Sequence, residues 1–141
     1  NHQRDFYEAG RLGMIIDGTG NDTSKIKGQK ERAEKMGYDC FMVFVNTSLE
    51  VAQYRNSIRD RVVPNDVLIP IWKDCQNNLG KFQTMFSGKF RIVDNTKNGN
   101  NITQNVQKAV DGFIREPLRN PIGKNWIIQA RILKQANLIK R

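Results

Sequence analysis

The chain has 141 residues and a formal net charge of +9, from 23 Lys and Arg against 14 Asp and Glu. This length fits one domain that can bury a core, and the charge predicts a polyanionic partner such as nucleic acid or nucleotide phosphates. The sequence has neither a long apolar run nor the pattern of a signal peptide at its start, so we expect a cytoplasmic protein with no membrane partner. Cys40 and Cys75 stand alone and there is one His, which argues against zinc, haem and disulfide sites.

Three short apolar runs predict β-strands, because each is rich in branched or aromatic residues. They are Gly13–Ile16, Cys40–Val45 and Phe90–Val93. The central run is apolar at successive positions, which is typical of a parallel strand covered by helices on both faces. The runs therefore favour a parallel sheet.

Helical patterns alternate with these runs. The first predicted helix covers about 24–36, with Asp22 as its cap and Gly37 as its stop, and the second covers 48–61 and is opened by a Thr47–Glu50 capping box. An apolar stripe from Leu68 to Phe86 and an apolar face from Ile102 to Phe113 predict two more helices. The last predicted helix is capped by Asn120 and has Pro121 at its first position. Strand and helix in alternation predict an α/β fold with helices on both faces of the sheet.

The first predicted strand ends in Asp17, Gly18 and Thr19, followed by Gly20. Open α/β sheets bind ligands at the carboxyl ends of their strands, where a carboxylate can hold Mg²⁺ or accept the proton of a substrate hydroxyl. The alternative interpretation is a simple turn that leads into the Asp22 helix cap. The short motif alone does not decide between them.

Three arginines follow the second predicted strand. Arg55 and Arg59 are four residues apart on the predicted helix and so share a face, and Arg61 comes where that helix frays. Guanidinium groups match phosphate oxygens and neutralise the charge of a transferring phosphoryl group. The alternative is a solvated helix face on which an arginine pairs with Asp60.

Asp94 and Asn95 end the third predicted strand, where a loop that contacts a nucleotide base is one interpretation. The Gly-Lys pairs at Gly80, Gly88 and Gly123 lack the Ser or Thr and the upstream glycine of a phosphate-binding loop. This absence counts against autonomous catalysis by the 141 residues.

The last segment is strongly basic. Seven basic residues against Glu116 give it +6 of the total +9, and they are Arg115, Arg119, Lys124, Arg131, Lys134, Lys140 and Arg141. Its Ile, Leu and Trp side chains fall around most of the predicted helix, so we expect this helix to be buried against a partner or the chain's own sheet. We therefore predict domains at 1–114 and 115–141.

Several of these motifs, taken in order, resemble the P-loop kinases of the zeta-toxin and polynucleotide-kinase branch. The resemblance covers about 5–96 and rests on Gly13–Thr19, on Gly37–Asp39 before Phe41–Thr47, on Ala52 with Arg55, on Arg59–Pro64 and on Ile92–Asn95. It implies a three-layer parallel sheet that is incomplete, since the family's first strand and its phosphate loop have no counterpart here. The missing strand would lie between Gly13–Ile16 and Cys40–Val45.

The resemblance also implies roles for the candidate residues. Asp17, Gly18 and Thr19 would contact the phosphoryl acceptor, with Asp17 also at Mg²⁺. The arginines would form a lid over the ATP phosphates, and Asp94 and Asn95 would lie near the adenine. An N-terminal half or a partner chain would supply the phosphate loop.

The leading hypothesis is part of an ATP- and Mg²⁺-dependent phosphotransferase that acts on a hydroxyl of a nucleotide, a nucleotide sugar or a nucleic-acid end. The alternative is a non-catalytic nucleic-acid-binding or assembly protein on a degenerate scaffold of the same kind. Whether the chain is itself an enzyme stays open. The Asn-, Lys- and Ile-rich composition suggests a phage protein acting in a bacterial cytoplasm.

Overall fold

The computed structural model describes residues 2–97 and 101–139. It is an α/β structure. The helices are α1 (His2–Ala9), α2 (Thr23–Lys35), α3 (Leu49–Ser57), α4 (Asn65–Phe86), α5 (Ile102–Ile114) and α6 (Pro121–Ile139), and the strands are β1 (Met42–Asn46) and β2 (Phe90–Asp94). None of the described helices combines the length and the apolar character needed to cross a membrane.

The two strands form a parallel pair, in register from Met42 opposite Phe90 to Asn46 opposite Asp94. Alternate side chains point to opposite faces of such a pair. Phe44 packs towards Phe82 of α4, whereas Arg91, at an alternate position of β2, lies over the Phe113 ring of α5 with 5.2 Å to its centroid. The pair therefore contacts α4 on one face and α5 on the other.

The predicted first strand is wrong. Residues 12–19 have no regular secondary structure, and Ile15 and Ile16 are 96% and 51% exposed. A strand forms when its backbone groups pair with a neighbour, and the sheet of the described chain consists of β1 and β2. Apolar, branched residues do not make a strand without that neighbour.

The chain divides into two compact units, which we describe separately. The sheet unit comprises 19–27 and 41–116, and the terminal unit comprises 1–18, 28–40 and 117–141. The predicted domain division at 115 stays a prediction.

The core of the sheet unit lies between β1 and α4. Phe44, Cys75 and Phe82 are buried there, and Phe82 is fully enclosed. The apolar stripe predicted from Leu68 to Phe86 is thus confirmed as the inner face of α4. Pro70 lies within this helix without ending it, as its sixth residue.

The loop before α2 is tied to the same core. The buried amide of Asn78 donates to the carbonyls of Gly20 (3.2 Å) and Asn21 (2.9 Å), and the Cys75 thiol donates to the Thr19 carbonyl (2.9 Å). Gly20 has φ +81°, and a Cβ there would lie 3.1 Å from the Phe44 ring. The predicted Asp22 cap is confirmed, since its carboxylate accepts from Lys25 N at 2.9 Å.

In the terminal unit, α2 ends in a Schellman motif. Gly37 has φ +98°, its N–H donates to the Glu34 carbonyl, and the next N–H, of Tyr38, donates to the Ala33 carbonyl. The predicted Gly37 stop is therefore confirmed.

The start of α6 is fixed by Asn120, as predicted. Its Oδ1 accepts from Ile122 N at 3.0 Å, and its Nδ2 donates to the carbonyls of Glu34 (2.8 Å) and Tyr38 (3.1 Å). The first turn of α6 consequently lies against the end of α2. There the backbone of Gly123 touches that of Gly37, so closely that neither has room for a Cβ.

We predict that Gly123→Ala lowers the free energy of unfolding by about 1–3 kcal/mol, because its Cβ would clash with the Gly37 carbonyl. Gly80→Ala is the control. Gly80 lies in α4 with open space around it, so alanine should stabilise that helix by about 0.5–1 kcal/mol. Urea denaturation of the two variants measures both effects, and two changes of the same sign would contradict the close glycine contact.

Candidate functional site

The carboxyl ends of β1 and β2 meet at one edge of the sheet, because the strands are parallel and Asn46 is opposite Asp94. The segments that follow the two strands are joined by hydrogen bonds. Asn95 N donates to the Asn46 carbonyl (2.7 Å), Thr47 Oγ1 to the Asn95 carbonyl (3.4 Å) and Ser48 N to Thr96 Oγ1 (3.2 Å). We call these residues the carboxyl-edge cluster: Asn46, Thr47, Ser48, Asp94, Asn95 and Thr96.

Hydrogen bonds from Thr96 lower the pKa of Asp94 below its ordinary value, with the Thr96 hydroxyl the larger cause and the Thr96 N–H, at 2.9 Å, the second. The positive charge of Lys97 adds to this, and desolvation opposes it. Asp94 is therefore a carboxylate at neutral pH, held by its own turn at an exposed position. This gives the carboxyl-edge cluster one fixed negative charge.

The cluster also starts α3. Ser48 is the N-cap, and its Oγ accepts from Val51 N at 3.3 Å. The predicted capping box is shifted by one residue, because Ser48 rather than Thr47 caps the helix. The pKa of Glu50 is lowered, first by its own backbone N–H and then by the Ser48 hydroxyl.

Two side chains of α4 reach the same edge. Trp72 Nε1 donates to the Thr47 carbonyl at 3.0 Å, and Gln76 Nε2 donates to Asn46 Oδ1 at 2.8 Å. Neither Gln76 nor Asn46 is among the residues that the sequence predicts for the site. Their signal was a polar residue where β1 ends and an amide one position after the buried Cys75.

The candidate arginines lie at and beyond the end of α3. The helix ends at Ser57, four residues before the predicted end, so Arg59 is in the loop and does not share a helix face with Arg55 as predicted. Arg61 lies in the same loop. This loop is closed by Asn56, whose Oδ1 accepts from Val63 N (3.0 Å) and whose Nδ2 donates to the Val63 carbonyl (2.7 Å). We call residues 58–62 the arginine loop.

Arg59 and Arg61 are exposed and Arg55 is half-buried. Within the described chain, the guanidinium groups of these three arginines make no hydrogen bond or ion pair, and the alternative pairing with Asp60 is not formed. Guanidinium groups in this state are available to an anion.

Asp17 and Gly18 belong to the terminal unit and Thr19 to the sheet unit. Asp17 is exposed and does not end a strand, which corrects its predicted setting. The Thr19 hydroxyl donates to Asn21 Oδ1 at 2.7 Å, as in a turn. The described residues contain no cluster of three or more His, Cys, Asp or Glu that could hold a metal ion.

The basic end is exposed over most of its length. Its members in the described chain are Arg115, Arg119, Lys124, Arg131 and Lys134, and all are exposed. Lys140 and Arg141 lie outside the described residues. Ile122, Ile128, Ile132 and Leu133 of the last helix are all more than half exposed, so the described chain does not bury them. The alternative, burial of this helix against a partner, stays a prediction.

No family model, curated protein or solved structure matches this chain. The resemblance to P-loop kinases therefore rests on the residues and their spacing. The α/β class and the parallel strand pair are properties of the structure, whereas the larger kinase-like sheet, the activity and the ligands are proposals.

We predict that Thr96→Ala raises the pKa of Asp94 towards its ordinary value, because the larger of the two hydrogen-bonding causes is removed. A lowered pKa stabilises the fold above the unfolded-state pKa, and this stability is lost as pH falls through the folded-state pKa. The variant should therefore lose less stability on acidification than the wild type.

Carboxyl ¹³C titration of Asp94 measures the change, with Thr103→Ala on the exposed face of α5 as the matched control. An Asp94 titration that is the same in Thr96→Ala, Thr103→Ala and the wild type would contradict the assignment.

Proposed function

We propose that this chain is part of an ATP- and Mg²⁺-dependent phosphotransferase acting on a hydroxyl of a nucleotide, a nucleotide sugar or a nucleic-acid end. One observation carries the proposal. Arg55, Arg59 and Arg61 are presented by the end of α3 and a loop closed by a buried amide, and their guanidinium groups have no partner among the described residues. Such arginines suit the oxygens of a polyphosphate, where hydrogen bonds to charged groups are strong.

The parallel pair supports the same proposal. β1 and β2 are parallel neighbours, and α3 starts directly from the carboxyl-edge cluster. Ligands of open α/β sheets bind at this edge. In the proposal, Asp94 and Asn95 lie near the nucleotide base, and further strands and the phosphate-cradling loop come from additional polypeptide or a partner chain.

Asp17, Gly18 and Thr19 are assigned to the phosphoryl acceptor in this proposal. Asp17 is exposed in a segment without regular secondary structure and is followed by Gly18, so a ligand can approach it closely. Mg²⁺ commonly binds one or two protein carboxylates and completes its shell with phosphate and water oxygens, which is compatible with a single aspartate.

We expect Arg59→Ala/Arg61→Ala to weaken binding of Mg²⁺·ATP by about tenfold or more for each arginine, because each loses charge-assisted hydrogen bonds to phosphate. Isothermal titration calorimetry measures this. Lys73→Ala/Lys108→Ala removes the same two charges from exposed positions of α4 and α5 and should leave the affinity nearly unchanged.

Arg55→Ala and Asp17→Asn test the other assigned residues in the same assay. Equal ATP binding by the wild type, the Arg59→Ala/Arg61→Ala variant, Arg55→Ala and Asp17→Asn would refute the site assignment.

A second candidate function is favoured by the exposure of α6. No Asp or Glu occurs in 117–141, and the helix presents Lys124, Arg131 and Lys134 to solvent. A surface with basic residues alone attracts nucleic-acid phosphates. The second candidate is therefore a non-catalytic nucleic-acid-binding or assembly protein that uses the basic end.

For this candidate, log K for duplex DNA should fall linearly with log[salt]. The triple variant Lys124→Gln/Arg131→Gln/Lys134→Gln should reduce the slope by about 0.9 for each phosphate that is no longer neutralised. Fluorescence anisotropy over a range of NaCl concentrations measures it.

The matched control replaces three exposed lysines of the sheet unit, Lys25, Lys73 and Lys108, with Gln. An affinity that does not weaken with salt, or equal slopes for both triple variants, would rule out phosphate binding by α6.

A further inference from the structure

Asn56 is one of a few polar residues buried in the described chain, with 5% of its surface exposed. Its amide makes both of its hydrogen bonds to one residue, Val63, which is seven positions later. The side chain thus replaces a pair of backbone hydrogen bonds and closes the arginine loop at its base. The loop lies outside helix and strand, so its backbone has no ladder of its own to define it.

The three candidate arginines lie next to Asn56 or between Asn56 and Val63 in the sequence. Arg55 precedes Asn56 on the last turn of α3, and Arg59 and Arg61 lie between Asn56 and Val63. The Arg59 N–H also donates to the Asn56 carbonyl at 3.3 Å. Asn56 therefore contacts the loop both through its side chain and through its backbone.

Closure of the loop matters for an anion because a loop that is not fixed loses backbone freedom when a ligand binds to it. A loop already fixed in the bound shape lowers that cost, whereas an open loop must be ordered by the ligand. Arg59 and Arg61 are exposed, so packing of their side chains contributes little to fixing the loop.

We infer that Asn56 is a positioning residue for the phosphate site: by closing the loop onto Val63, it sets where Arg59 and Arg61 present their guanidinium groups. This inference rests on the proposed function, because it takes those arginines as phosphate ligands. Asn56 itself does not touch the ligand.

The chain offers a matched control for a buried amide. Asn78 is also buried, with 6% of its surface exposed, and its amide also makes two hydrogen bonds to backbone of the sheet unit. In Asn78 both bonds are donated by Nδ2, to the carbonyls of Gly20 and Asn21. Asn78→Ala and Asn56→Ala therefore each remove one buried amide that makes two hydrogen bonds to backbone. Of the two, only Asn56→Ala opens the arginine loop.

The experiment measures binding of inorganic tripolyphosphate to the full chain by calorimetry, at a temperature where circular dichroism shows each variant folded. We expect Asn56→Ala to weaken binding by about tenfold, the size expected when ordering of the loop backbone is moved to the binding step. Asn78→Ala should bind as the wild type does, and Arg59→Ala/Arg61→Ala should lose most of the affinity.

The outcomes separate the two claims. If the wild type does not bind tripolyphosphate, or binds it as Arg59→Ala/Arg61→Ala does, the proposed function fails and this inference fails with it. If that arginine variant loses binding while Asn56→Ala equals Asn78→Ala, the positioning role of Asn56 alone is overturned.

A measurement on the wild type keeps the inference testable should Asn56→Ala not fold. The Val63 amide, bonded to Asn56 Oδ1, should exchange with deuterium at least about tenfold more slowly than exposed amides of the arginine loop. Exchange of Val63 at the same rate as those amides would show an open loop and overturn the role of Asn56.

Discussion

The parallel pairing of β1 with β2 is the constraint on which the sheet unit depends. Its register places Asn46 opposite Asp94, so both strands end at one edge and the two following segments can bond to each other. Because a parallel connection must return to the same end of the sheet, α4 is long and carries the chain back along one face. The start of α3, the Trp72 contact and the turn at Asp94 all depend on this shared edge.

Side-chain amides supply hydrogen-bond partners that a sheet of two strands does not provide. Backbone groups in loops near a core need partners, and two strands supply few of them. Asn56 bonds to the backbone of Val63 at the end of the arginine loop, and Asn78 bonds to the backbone of the loop at Gly20. Gln76 donates to the side chain of Asn46. In the terminal unit Asn120 has the same task, since its amide joins the end of α2 to the start of α6. Because these amides bond to the loops, the loops can keep one conformation without long strands beside them.

Patterns that are local in the sequence predicted this structure well. Caps at Asp22 and Asn120 and the stop at Gly37 depend on residues within one turn, and the stripe of α4 repeats along its own helix, so each was visible without the fold. The run Gly13–Ile16 failed because a strand requires a neighbour, and composition carries no information on whether one is present.

The candidate site was predictable only in part, for the same reason. Asp94 was found because it ends a strand, whereas Asn56 was missed because its partner, Val63, is beyond the end of a helix that the sequence pattern extended too far. The burial predicted for α6 followed from its apolar residues. Ile132 and Leu133 are exposed. An apolar composition therefore indicates which side chains a helix can bury, but it does not indicate whether another element lies there to cover them.

The two cysteines lie one in each unit, and this has a practical consequence. Burial, followed by the nearby charge of Asp74, raises the pKa of the Cys75 thiol, which also donates to the Thr19 carbonyl. Cys40 is half-buried, with its thiol 3.9 Å from the Lys30 carbonyl. Alkylating reagents attack the thiolate, so the buried Cys75 reacts mainly when its surroundings open. The rate of labelling at Cys75 thus reports the opening of the sheet unit without any engineered probe, with the half-buried Cys40 as a more accessible thiol in the same chain.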